Sequence, residues 1–258
     1  MTKTSIYVIA LICLSLITLL FSFAPIAQDV NYHLFADNRY LLSIPNNLNV
    51  ISNIPFLLVG LYGLWGVIWS QSNQIESELK PGLITFFTGV ALVSVGSGYY
   101  HIAPDNQTLI WDRLPMTIAF MGLFSAVIGE FVSFKYTKTL LAFLLVFGVF
   151  SVAYWSITEE KGVGDLRFYI LVQFLPMLLI PIFLVLNKNT SKSTSGYWKL
   201  LGCYALSKIC EHYDEQIFIL FSQVSGHSLK HVFAAMGVFL LARSYLIKSD
   251  GAKLTPVK

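Results

Sequence analysis

Charge is what this 258-residue chain has least of: Asp, Glu, Lys and Arg make up 12% of it, about half of the roughly 25% usual in a soluble domain. That excludes a water-solvated globule. Cysteine is also sparse. Cys13, Cys203 and Cys210 are the only three, all inside apolar runs and with no CxxC pair, which excludes a disulfide framework and a thiolate metal or redox motif. Each reads as a small buried hydrophobe. Basic stripes interleaved with aromatics are missing and the formal net charge is only +3, so nucleic-acid binding has no footprint. Internal repeats and low-complexity tracts are absent too.

What fills the chain instead is hydrocarbon. Hydrophobic residues make up 55% and mean hydropathy is +0.67. Crossing a bilayer takes about 20 mostly apolar residues, and eight stretches qualify: 5–24, 49–69, 83–103, 109–131, 139–157, 168–186, 198–220 and 228–247. Little remains between them, so the expected fold class is all-α, a polytopic membrane helical bundle without a separate soluble domain. The first stretch follows Lys3 and ends near Ala24 and Ala27, as a signal peptide would. Its apolar core exceeds the roughly 7–15 residues of a signal h-region, which favours a retained transmembrane helix or signal anchor over residues 1–27.

Loop charges set the expected orientation. With the N-terminus in the cytoplasm, inner segments carry Lys3, Lys80, Lys135, Lys138, Lys188, Lys192, Lys199, Arg243, Lys248, Lys253 and Lys258. Outer segments hold chiefly Arg39, Arg113, Lys161, Arg167 and Lys230. The positive-inside rule then puts both termini in the cytoplasm. The stretches SQSNQIESELKPG and NKNTSKSTSG read as polar inner loops. Trp65, Trp69, Trp111, Trp155 and Trp198 lie near expected helix ends, where an indole anchors at the interface. Pro55, Pro115, Pro176 and Pro181 fall within expected helices and are expected to kink them, opening space between helices.

Polar residues inside such a chain stand out. Ser97 and His101 share a face of the third stretch, and Pro104-Asp105-Asn106 marks a tight turn that brings Asp112 back opposite them. His227 and His231, also four residues apart, open the last stretch in GHSLKHVFAAMGVFLLA. All three histidines fall at the same outer level. An imidazole in hydrocarbon is costly unless paired or metal-bound. Three neutral imidazoles suit a tetrahedral zinc ion with one position left for water. Asp112 would accept or orient a proton of that water, and Ser97 would donate to a developing oxyanion. His33 falls outside this cluster and reads as a solvent-exposed loop residue.

SGYYHIAPDNQTLIWD and GHSLKH together resemble the signature of the alkaline ceramidases and the wider CREST superfamily of membrane hydrolases. The resemblance implies a seven-helix core. It also implies a zinc site in which Ser97 and His101 stand on one helix, Asp112 on the next and His227 and His231 on the last. NVISN, residues 49–53, is similar to the opening of that family's first core helix. Residues 28–258 would then form the ceramidase-like domain, with 1–27 an N-terminal addition. The eukaryotic ceramidases carry an acidic calcium-binding stretch just before that opening. Here the matching region leaves Asp29, Asn31, Asp37 and Asn46 as candidate ligands, with two carboxylates where calcium prefers more. A solvated loop of Asx turns is the expectation there.

The seventh stretch is the most polar. Lys208, Glu211, His212 and Glu215 follow i, i+3, i+4, i+7 spacing and share one face. Two readings stay open: groups that orient the metal-binding imidazoles, or a Lys208 ion pair with Glu211 or His212 that compensates buried charge. Glu130 reads as an interfacial charge near Lys135. The chain as a whole reads as a zinc-dependent intramembrane hydrolase, its histidine site toward the periplasmic or lumenal side. It would cut the amide bond of a membrane lipid, ceramide or another N-acyl amine; no protein partner is legible. A non-enzymatic receptor on the same scaffold is the rival reading. A metal or proton transporter is a second, disfavoured by the apolar inner halves of the third, fourth and eighth stretches.

Overall fold

The computed structural model describes residues 1–69, 75–187 and 193–246. Lys188, Lys192, Lys248, Lys253 and Lys258, and parts of both polar inner loops, lie outside the described residues. The helices are α1 (Lys3–Ser22), α2 (Asn47–Ile51), α3 (Ile54–Trp69), α4 (Lys80–Ile102), α5 (Asn106–Phe131), α6 (Thr137–Glu160), α7 (Arg167–Leu186), α8 (Thr194–His212), α9 (Asp214–Phe221) and α10 (Gly226–Leu246). A 3-10 turn occupies Val30–His33, and Leu41 and Ile44 form a lone bridge. The fold is an all-α bundle, as expected.

Seven of the eight expected stretches are helices long and apolar enough to cross a membrane, α2 and α3 counting as one span over Asn47–Trp69. The stretch 198–220 departs from this. It is split at Tyr213 into α8 and α9, and Lys208, Glu211, Asp214 and Glu215 make it too polar to qualify by composition. Even so α8 runs the depth of the bundle. Ser193, just before it, donates to Glu130 at the far end of α5, while Asp214, just after it, accepts from the His227 N–H at the start of α10. Its 19 residues reach roughly 28 Å at about 1.5 Å each. Its polar side chains are tolerated because several turn to a cavity instead of lipid.

The centre of the bundle is the pair α4 and α5. The turn between them is built as the sequence indicates: Asp105 accepts from the Thr108 N–H at 2.6 Å while Thr108 Oγ1 accepts from the Asp105 N–H at 3.1 Å, a reciprocal capping box. Donation from the Thr108 N–H, and from its hydroxyl at 3.0 Å, holds the Asp105 carboxyl below the usual carboxylate range. Glycines let the two helices touch. A methyl at Gly89 would overlap the Ala119 backbone nitrogen, and one at Gly96 the Trp111 carbonyl. Small residues of this kind replace the hydrophobic drive that lipid cannot supply. We expect Gly89→Val to separate α4 from α5 and to cost about 1–3 kcal/mol through overpacking. A thermal melt in detergent checks this; an unchanged midpoint would contradict the close approach.

α1 stands apart at the periphery, with only Ile9 of its residues buried. It is fastened at its C-terminal end, where Arg167 donates to the Phe23 carbonyl at 2.8 Å and Leu166 N–H to the Ile26 carbonyl at 2.8 Å. Three expectations need correction. Pro55 sits in the first turn of α3, where a missing N–H costs nothing, whereas Pro115, Pro176 and Pro181 are inside helices. Trp155 is fully buried while the other four tryptophans are exposed, because Arg113 stacks on its ring at 4.0 Å. Glu130 is no interfacial charge: it accepts from Tyr245 at 2.5 Å and Tyr197 at 3.2 Å as well as from Ser193.

Candidate metal centre

The third, fourth and last long stretches converge as the spacing implies. His101 stands one residue from the end of α4, and His227 and His231 occupy the first turns of α10. All three are buried, and one nitrogen from each lies within 4.8 Å of the others. The Nε2 atoms of His101 and His227 are 3.3 Å apart. Two neutral imidazoles that face each other through ring nitrogens repel unless a proton or a cation lies between them. Ligand nitrogens at about 2.0–2.1 Å on a tetrahedral zinc ion are separated by roughly 3.3–3.4 Å, so the pair fits such an ion. His231 is oriented for the same role, since its Nδ1 meets Ser52 Oγ at 2.8 Å and its Nε2 is left free. A hydrogen bond on the far ring nitrogen is the usual way to fix a ligand imidazole.

The supports come from residues to which the sequence assigned no role at the histidines. Asn49, buried in NVISN, accepts from Ser228 Oγ at 2.8 Å and donates to the Asp37 carbonyl at 3.1 Å. It therefore ties the loop of residues 34–46 that leads into α2, the entry loop, to the first turn of α10. Asn46 donates to the His101 carbonyl at 2.8 Å, satisfying one of the acceptors a helix end leaves unpaired. Asp214 caps α10 through the His227 N–H at 2.6 Å and holds the loop through the Ala36 N–H at 3.0 Å. The loop in turn lays Phe35 across the centre, its ring 4.7 Å from that of His101 and 4.6 Å from that of His227. NVISN signalled Asn49 and Ser52; nothing in the sequence pointed to Phe35.

Ser97 on α4 and Asp112 on α5 are both buried. They line a cavity of about 160 Å³ whose wall also includes His231. The polar end of that cavity is completed by Lys208, Glu211 and Lys230. Farther along the same helices, away from the histidines, the wall becomes Val90, Leu123, Met177, Leu200 and Val238. Glu211 accepts from Lys208 at 2.6 Å and from Lys230 at 2.7 Å. The ion-pair reading of Lys208 and Glu211 therefore holds, with Lys230 as a third member. His212 and Glu215 do not belong to this face: both are exposed, and His212 packs its ring on Tyr213. The break at Tyr213 ends the helical register that would have aligned Glu215.

Two basic residues expected at the outer surface are turned inward. Lys230 faces the cavity, and Arg113 is buried, donating to Gln28 at 2.5 Å and stacking on Trp155 and Tyr169. His33 is not solvent-exposed either; it is half-buried and bridges Tyr100 Oη and Asn106 Oδ1, each at 3.0 Å. Of the calcium candidates, Asp29 accepts from the Asn31 N–H in an Asx turn, Asp37 is clasped by the Arg39 guanidinium at 2.7 Å, and Asn46 serves His101. Asp37 and Asn46 are thereby committed to structural bonds.

Against known proteins, a family model described as Ceramidase matches residues 40–248. The chain is also 23% identical over 235 residues to "Putative alkaline ceramidase dcd3A" of Dictyostelium discoideum, the match covering 80% of this chain and 81% of that protein.

Proposed function

We propose, the chain belonging to the ceramidase family, that it is a zinc-dependent hydrolase working within the membrane on the amide bond of ceramide or a related N-acyl lipid. The observation that carries this reading is the convergence of His101, His227 and His231 into one cluster, which adjoins through His231 the polar end of a cavity whose other end is apolar. A receptor has no need of a proton acceptor and a hydroxyl beside such a cluster, and a transporter needs polar groups continuing to the far side, where this cavity is lined by Val90, Leu123 and Val238.

In this mechanism the acyl chain occupies the apolar end, lined by Val90, Leu123 and Val238, and the amide reaches Ser97 and Asp112. Entry from the bilayer is easiest between α7 and α8, which meet over only a short stretch. His101, His227 and His231 would hold the zinc. When bound, that ion polarises the amide carbonyl and makes a water molecule acidic enough to attack at neutral pH. Asp112 accepts a proton from the attacking water and Ser97 donates a hydrogen bond to the carbonyl oxygen as its charge grows. The new carbon–oxygen bond forms, the carbon–nitrogen bond breaks, and the proton on Asp112 passes to the leaving nitrogen. The products are a fatty acid and a free amine. Phe35, over the histidines, keeps bulk water from the centre. Metal analysis of the purified protein together with mass-spectrometric product detection on an N-acyl lipid panel tests the assignment. A protein retaining zinc that cleaves none of the panel would end it.

We propose further that both termini face the cytoplasm and the histidine centre the opposite side, on the lysine asymmetry. A single cysteine at Asp105 should then react with an impermeant reagent in intact cells, and one at Lys135 only after permeabilisation. The reverse pattern inverts the topology.

A further inference from the structure

Next to Asp112 the cavity wall carries Arg113, whose guanidinium the protein satisfies only in part. Arg113 is 5% exposed. Its Nη2 donates to Gln28 at 2.5 Å, while Nη1 is buried and meets no hydrogen-bond partner among the described residues. The rings of Trp155 and Tyr169, at 4.0 Å and 4.6 Å, favour the cation through their faces but offer it no lone pair there. A buried donor left in this state bears its full desolvation cost. Lys208 and Lys230 on the same wall differ from it. Each is bonded to Glu211, and their side chains stay 36% and 19% exposed, so water can meet their remaining hydrogens. Gln28 and the two rings also hold the guanidinium in place, so binding an acceptor there loses little conformational freedom.

We infer that Arg113 Nη1 donates to a head-group hydroxyl of the lipid, and that Arg113 sets a preference for amides of vicinal amino alcohols, in which the hydroxyl stands on the carbon next to the one bearing the nitrogen. This deepens the hydrolase reading and rests on it. The acyl chain takes the apolar end and the amide lies at Ser97 and Asp112, so the substituent on nitrogen stays at the polar end, where Arg113 follows Asp112 in the chain and on the wall. A hydroxyl so close to the amide cannot leave that region. Its oxygen supplies the lone pair that Nη1 lacks, and an apolar group of the same size does not. Ceramide belongs to this class through two hydroxyls, one primary and one secondary, on either side of the carbon that bears its nitrogen.

The test compares N-oleoylethanolamine with N-oleoylpropylamine, which differ only in a hydroxyl against a methyl group. Wild-type protein should favour the ethanolamide in kcat/KM by about tenfold to a hundredfold, the scale of a charge-assisted hydrogen bond. Equal or better cleavage of the propylamide overturns the inference. Arg113→Met should bring the ratio close to one with zinc content unchanged, and a Met variant that folds and keeps the ratio overturns it as well. Arg113→Lys, which keeps the charge but not the fork, should hold an intermediate ratio; a ratio equal to that of wild type removes the assignment to Nη1. Ceramides lacking either the primary or the secondary hydroxyl then show which of the two is bound, and full activity on both overturns the inference. If no lipid is cleaved, the hydrolase reading fails separately. Displacement of radiolabelled N-oleoylethanolamine by the same two amides then decides the head-group preference, equal affinities overturning it.

Discussion

Changing His227 and His231 together to alanine should abolish both zinc retention and lipid cleavage, the largest effect expected for any pair of residues in this protein. Each contributes a nitrogen to the three-imidazole cluster, and a single remaining His101 cannot hold zinc against a chelator. The comparison is zinc per chain by mass spectrometry, expected at about one in wild type and none in the double variant. A lesser change at the next layer should act in proportion. Ser52 contacts His231 Nδ1, and Ser52→Ala should weaken zinc binding by roughly 10–100-fold, the usual cost of losing the group that orients a ligand histidine. Stoichiometric zinc in the double variant would show that the cluster is no metal site.

Asp112→Asn should keep metal and fold yet lower turnover by roughly 10²–10⁴-fold, the range for loss of a general base. The asparagine preserves size and shape, so packing is not at issue. It cannot accept the proton. Ser97→Ala should cost up to about 10²–10³-fold if its hydroxyl supports the developing oxyanion. Because Ser97 and Asp112 line the same cavity and would act on one reacting group, the double variant should lose less than the product of the two single effects. Asp112→Asn protein that cleaves as fast as wild type would remove Asp112 from the chemistry and leave it as a buried acid that only completes a polar cluster.

Much of the candidate site was legible because helices convert spacing into position. Ser97 and His101, and again His227 and His231, are four residues apart, and on an α-helix that places each pair on one face whatever surrounds it. The Pro104-Asp105-Asn106 turn is equally local, closed by Asp105 and Thr108 within one helical turn. What failed were readings that depend on what lies across the bundle. Lys230 and Arg113 look like outer-loop charges in the chain, yet one faces the cavity and the other lies under aromatic rings. Glu215 would share the face of Lys208 on an unbroken helix, and the break at Tyr213 separates it from that face, while His212, at the last position of α8, turns outward onto the Tyr213 ring.

The amino-acid sequence by itself determined the membrane setting, the helical class and the common level of the three histidines, since hydrocarbon admits only long apolar helices and fixes their depth by residue count. Tertiary structure alone decided the partners: Ser52 behind His231, Asn49 between the entry loop and α10, Phe35 across the rings, and Lys230 bound to Glu211. Those contacts join residues far apart in the chain. Each depends on which helices become neighbours and how closely glycines let them approach, and no local periodicity encodes that.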